Sequence, residues 1–65
     1  MELTPELQSL FIETAKALKG PDRRLFIARV VKLLGAGGQR QAEQELGWAR
    51  NMIILGMREL EGRAV

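Results

Sequence analysis

The chain contains no cysteine and no histidine among its 65 residues. These absences exclude disulfide bonds, thiolate chemistry and the ordinary zinc sites that these residues build. Aromatic residues account for only 5% of the chain, and no apolar run approaches the roughly 20 residues that a membrane span needs. So short a chain buries only about 60% of its unfolded surface. We therefore expect a single domain, residues 1–65, whose core is marginal without a partner or a second copy.

The chain is also poor in the side chains that catalysis requires. Ser9 is its only serine and Asp22 its only aspartate, and without histidine or cysteine no nucleophile can be matched with a base. Close glutamates such as Glu43 and Glu45 are two residues apart, so they point to different faces of a helix. We expect no enzymatic activity, metal, cofactor or small-molecule substrate.

Positive charge is concentrated early in the chain. Ten Lys and Arg stand against eight Asp and Glu, for a net charge of +2. Six of these basic residues lie between positions 16 and 32, where Asp22 is the only acid, whereas the sequence from Arg40 onward is formally neutral. The opening Met-Glu-Leu-Thr lacks the basic and then apolar start of a secretory signal. We expect a cytoplasmic protein that does not associate with membranes.

Periodicity and helix-ending residues predict an all-α fold of four short helices. The first begins at Thr4-Pro5 and ends at Gly20-Pro21. Its apolar stripe consists of Leu7, Leu10, Phe11, Thr14 and Leu18. The second runs from Pro21-Asp22 to the glycine-rich residues 35–38, and its wide apolar arc, which includes Leu33, predicts a central helix with Arg24 on the solvent face. Without a preceding strand or a following Gly-Lys-Ser/Thr, the glycines favour a hinge over a phosphate-binding loop.

The remaining sequence is typical of a helix-turn-helix. A polar helix from Gln39 to Leu46 offers Ala42 and Leu46 to the core, Gly47 makes the turn, and Trp48 closes the corner. A fourth helix then runs from Ala49 to about Glu61 and ends at Gly62. Its predicted core face consists of Ile53, Gly56, Met57 and Leu60. Spacing alone favours this motif no more than an ordinary helical hairpin.

The run from Leu18 to Trp48, with Arg50, Ile53, Gly56 and Glu59-Leu60 after it, resembles the N-terminal region of one family of bacterial insertion-sequence transposases, the type named after an Azoarcus element. The similarity extends over about positions 15–62, and its most specific part is the Gly-Gly-Gln…Ala-Glu…Leu-Gly-Trp pattern. It implies a DNA-binding helix-turn-helix that precedes a larger catalytic domain. With a single aspartate these 65 residues lack the acidic metal-binding cluster, so we expect no strand transfer from them.

Two functional hypotheses follow. The first is a module that binds double-stranded DNA, with Arg50 and Asn51 near base edges. Its phosphate contacts would be Arg23, Arg24, Arg40 and Arg58. The second is a self-associating module, natural or engineered, because residues 52–55 are all apolar where the family usually carries Thr and Lys or Arg at Met52 and Leu55. We expect Met52, Ile54 and Leu55 to pack against a second copy, preferably as a homodimer. A dimer formed through this helix would hide the DNA-reading surface, so the hypotheses are partly exclusive.

Overall fold

The computed structural model describes residues 2–63, with the backbone alone at Arg63. It consists of four helices joined by short connections. The helices are α1 (Pro5–Ala17), α2 (Gly20–Leu34), α3 (Gly38–Gln41) and α4 (Arg50–Arg63), with a π-helical turn, Ala42–Leu46, extending α3. No strand occurs anywhere in residues 2–63. The all-α prediction is confirmed.

The helix ends follow the local chemistry of the sequence at most positions. The backbone N–H of Leu7 donates to Oγ1 of Thr4 at 3.2 Å, so Thr4 caps α1 as predicted. The predicted end of the last helix at Gly62 is wrong, because α4 continues through Gly62 to Arg63. Gly62 is not among the glycines with a positive φ, and a glycine that keeps helical geometry does not end a helix.

The core forms where α2 packs against all the other helices. Its buried side chains are Leu25, Ile27, Ala28, Val30, Val31 and Leu34. The central position predicted for α2 is confirmed, since it contacts α1, α3 and α4.

Two leucines assigned to the apolar faces of α1 and α2 are instead exposed. Leu10 is 57% exposed and Leu33 is 61% exposed. Leu33 follows the exposed Arg29 by four residues, and Leu10 follows the exposed Glu6 by the same spacing, which places each leucine on the solvent side of its helix. The buried stripe of α1 is formed by Phe11 and Ala15.

Aromatic packing fixes the connection between α3 and α4. Trp48 is only 7% exposed, and its ring meets Phe26 edge-on, with centroids 6.4 Å apart and planes inclined by 71°. Ala42 and Leu46 are buried as predicted. Gly47 has φ of +71°, the left-handed geometry predicted for the turn. Trp48 therefore closes the corner that Gly47 opens.

α2 and α4 share the most extensive interface between helices in the described part of the chain. Ile53 is fully buried in their interface, and Gly56 faces the backbone of α2 at Arg24. Nε of Arg24 then donates to Oε1 of Glu59 at 2.9 Å. These contacts hold the middle of α4 in a defined position beside the first turns of α2.

Candidate functional site

A cavity of about 370 Å³ opens between the first turns of α2 and α4. It brings together residues that are far apart in the sequence. Six of the residues that line it are Arg23, Arg24, Ala49, Asn51, Met52 and Leu55. We call this space the α2–α4 cavity. It combines two guanidinium groups and one amide with an apolar wall, the composition of a small-molecule or anion site.

Three of the six residues predicted to contact DNA meet at the α2–α4 cavity. Arg23 and Arg24 reach it from α2 and Asn51 from α4. Their convergence could not be read from the sequence, because it depends on how α2 lies against α4.

The two arginines at this cavity differ in what they already contact. Arg24 was predicted to lie on the solvent face of α2, but it is half-buried and forms an ion pair with Glu59. Arg23 is also half-buried, and its Nε is fully enclosed without a hydrogen-bond partner among the described residues. Arg24 is therefore engaged within the protein, whereas the guanidinium of Arg23 retains donor capacity.

The outer face of α4 carries both polar and apolar side chains. We define this outer face as Asn51, Ile54, Leu55 and Arg58. Asn51 and Arg58 are seven residues apart, which places them within about 20° of each other around the helix axis. Both are exposed, and Leu55, four residues after Asn51, is 50% exposed. An approaching partner would therefore meet an amide, a guanidinium and an aliphatic surface together.

The other predicted contact residues lie elsewhere. Arg50 is exposed at the first position of α4, to one side of the outer face. Arg40 is exposed on α3 and does not line the α2–α4 cavity.

The apolar patch predicted on the last helix is smaller than the sequence suggested. Met52 packs against the hydrophobic core as a partly buried side chain. Met52 therefore has apolar neighbours within the chain and offers less surface to a second copy than its place in the apolar run 52–55 predicts. Ile54 and Leu55 remain as the partly exposed apolar pair.

Sequence reasoning missed Glu59 as a partner of Arg24. The two residues are 35 positions apart, and no local spacing connects them. Among residues 2–63 no group of three or more acidic side chains could hold a metal ion. None of the described helices combines the length and the apolar character needed to cross a bilayer.

Comparisons of the chain with protein-family models, with curated proteins and with solved structures gave no match. The resemblance to transposases therefore rests on the quoted residues alone.

Proposed function

We propose that the chain is a non-catalytic module of helix-turn-helix type that binds double-stranded DNA, with the outer face of α4 in the major groove. The observation that carries the proposal is the convergence of Arg23, Arg24 and Asn51 at the beginning of α4. In such modules the early residues of the second helix reach base edges while basic residues around it hold phosphates. A role on DNA also favours a cytoplasmic location.

In this arrangement Asn51 and Arg50 face base edges. Asn51 is exposed at the second residue of α4, and an asparagine amide can donate to and accept from adenine at the same time. The phosphate contacts fall to Arg23, Arg40 and Arg58, because the pair with Glu59 occupies Arg24 in the free protein.

Fluorescence anisotropy of a labelled duplex, measured at several salt concentrations, tests the proposal. Three phosphate contacts predict a slope of about −2.7 for log K against log salt, since each contributes about −0.9. Replacing Arg50 and Arg58 together by alanine should weaken binding strongly. Arg29→Ala serves as the matched control, because Arg29 is exposed on α2 and does not line the cavity. Absence of binding to any duplex at low salt would remove the proposal.

Self-association is a second candidate, favoured by the 50% exposure of Leu55 beside the partly exposed Ile54. Complete burial of one such side chain contributes about 1.5–3 kcal/mol, and twofold symmetry buries each residue twice. The pair would then form the centre of an isologous homodimer.

Sedimentation of the purified protein tests this second candidate. The wild type should dimerise, and the double variant Ile54→Arg/Leu55→Lys should be monomeric. Leu33→Lys is the control, because it replaces a leucine of comparable exposure, 61%, on a different helix; it should remain dimeric. A wild-type chain that stays monomeric at high micromolar concentration would exclude the candidate.

A further inference from the structure

The α2–α4 cavity carries positive charge that the protein does not neutralise. None of its lining residues is acidic. Arg24 has a carboxylate partner, with Nε 2.9 Å from Oε1 of Glu59. Arg23 forms no ion pair within residues 2–63. The uncompensated charge in the cavity is therefore that of Arg23.

The Arg23 side chain also lacks a hydrogen-bond acceptor where it needs one. Its Nε is buried and has no partner among the described residues. A buried donor without an acceptor is unfavourable in a folded protein, so such a group calls for an explanation. Because Nε is enclosed, a ligand in the cavity meets Arg23 at the terminal nitrogens of its guanidinium, which are not among the buried atoms that lack a partner. A ligand with negative charge and several acceptor oxygens suits these donors.

Two helix N-termini lie beside the cavity. Gly20, the first residue of α2, and Ala49, which immediately precedes α4, both line it. Lys19 makes no side-chain cap to α2, and Ala49 has no side-chain acceptor with which to cap α4. The beginnings of α2 and α4 therefore both lie at the cavity, each with the partial positive charge of a helix N-terminus, and in α2 the acidic Asp22 of the first turn offsets part of that charge.

The opposite wall determines what kind of anion fits. Met52 and Leu55 present aliphatic surface to the cavity, and at about 370 Å³ the space exceeds what an isolated oxyanion fills. A phosphate attached to a sugar matches this division, with its oxygens toward Arg23 and its carbons against Met52 and Leu55. Arginine usually holds a phosphate with two N–H donors of its guanidinium at once.

We propose that the α2–α4 cavity binds one phosphate group together with its attached sugar, and that Arg23 is the residue that ligates it. The identification of this phosphate as part of a DNA backbone rests on the proposed DNA-binding function. Arg24 also lines the cavity, but its pair with Glu59 engages it within the free protein. Arg23 thus differs from the other proposed phosphate contacts, Arg40 and Arg58, because their exposed side chains lie outside the cavity.

The salt dependence of duplex binding tests the role of Arg23. Arg23→Gln should reduce the slope of log K against log salt by about 0.9, the contribution of one phosphate. Arg29→Gln, which removes the same charge from the exposed side of the same helix, should leave the slope unchanged. Equal effects of the two variants would overturn the inference while leaving DNA binding intact. Far-UV circular dichroism establishes that both variants are folded.

A second measurement uses the wild-type protein and needs no variant. In NMR spectra of the arginine side chains, the Nε–H signal of Arg23 should shift saturably on addition of a short duplex, whereas that of Arg29 should not. A parallel titration with inorganic phosphate distinguishes the sources. Response to inorganic phosphate without duplex binding would retain the phosphate site and remove the DNA function. An Arg23 signal unchanged by both probes would overturn the site, even if the duplex binds elsewhere.

Discussion

The carbonyl oxygen of Arg24 lies too close to Gly56 to leave room for a Cβ there. The backbones of α2 and α4 are therefore in direct contact at this point. The Arg24 side chain then reaches along α4 to Glu59, so that one residue of α2 meets α4 through both its backbone and its guanidinium. The α2–α4 cavity lies immediately beside this contact and takes its shape from it.

Gly56→Ala should destabilise the protein by about 1–3 kcal/mol, the usual effect of overpacking. The added methyl would meet backbone that cannot rotate away, and this outweighs the helix propensity of alanine, worth about 1 kcal/mol over glycine. Gly62→Ala is the control, because nothing lies within 4 Å of its added Cβ. Thermal unfolding at equal protein concentration should show a lower Tm for Gly56→Ala only. A Tm at or above that of the wild type would contradict the close approach.

Gly47→Ala should also lower the Tm, but for a reason confined to the backbone. Gly47 has φ of +71° and open space around its Cβ position, so the only penalty is the left-handed conformation, about 1–2 kcal/mol. Asparagine tolerates this conformation better than alanine, so Gly47→Asn should lose less stability. If alanine and asparagine were equally tolerated, the turn geometry assigned to Gly47 would be wrong.

The neighbouring leucines at the end of α2 provide a test of how that helix is oriented. Leu34 is 4% exposed and Leu33 is 61% exposed. Leu34→Ala should therefore cost about 2–5 kcal/mol by leaving a cavity, whereas Leu33→Ala, on the surface, should change stability by less than about 0.5 kcal/mol. Denaturant titration compares the two. Similar midpoints would mean that both leucines are buried in a larger assembly or that the helix is rotated.

Glu59→Gln should strengthen DNA binding while changing stability little. The Arg24–Glu59 pair is about one-third exposed on both sides, and pairs of this kind contribute only about 0.2–1 kcal/mol. Removing the carboxylate leaves Arg24 able to contact phosphate, so the slope of log K against log salt should steepen by about 0.9. Glu61→Gln removes an equal charge from an exposed site on the same helix and should steepen it less. Identical slopes for both variants would argue against any competition between Glu59 and DNA.

Local signals in the sequence were sufficient to predict the elements of the fold. Thr4 and Pro5 identify the start of α1, and Gly47 identifies the turn before α4, because capping and left-handed geometry restrict which residues fit. Leu10 and Leu33 were misplaced because apolarity alone does not establish which side of a helix is covered. That depends on the positions of the neighbouring helices.

For the candidate site, only the residues and not their arrangement could be predicted from the sequence. Arg23, Arg24 and Asn51 stand out by residue type, yet their convergence requires the crossing of α2 and α4 at Gly56. The ion pair of Arg24 with Glu59 likewise spans 35 positions, and glutamate is common enough in the chain that no pairing could be chosen beforehand. Met52 was assigned to the surface for the same reason, since only tertiary packing shows that it reaches the core.

The protein has no tyrosine, and its three aromatic side chains contact one another in series. Phe11 meets Phe26, and Phe26 meets Trp48, each with ring centroids 6.4 Å apart. Near-ultraviolet circular dichroism therefore reports on a single place, where α1, α2 and the entry to α4 meet. The fluorescence of Trp48, the only tryptophan, reports on the same place, and its emission spectrum should be that of a tryptophan shielded from water. These optical signals therefore report on side-chain packing at this one helix junction rather than on an average over the molecule.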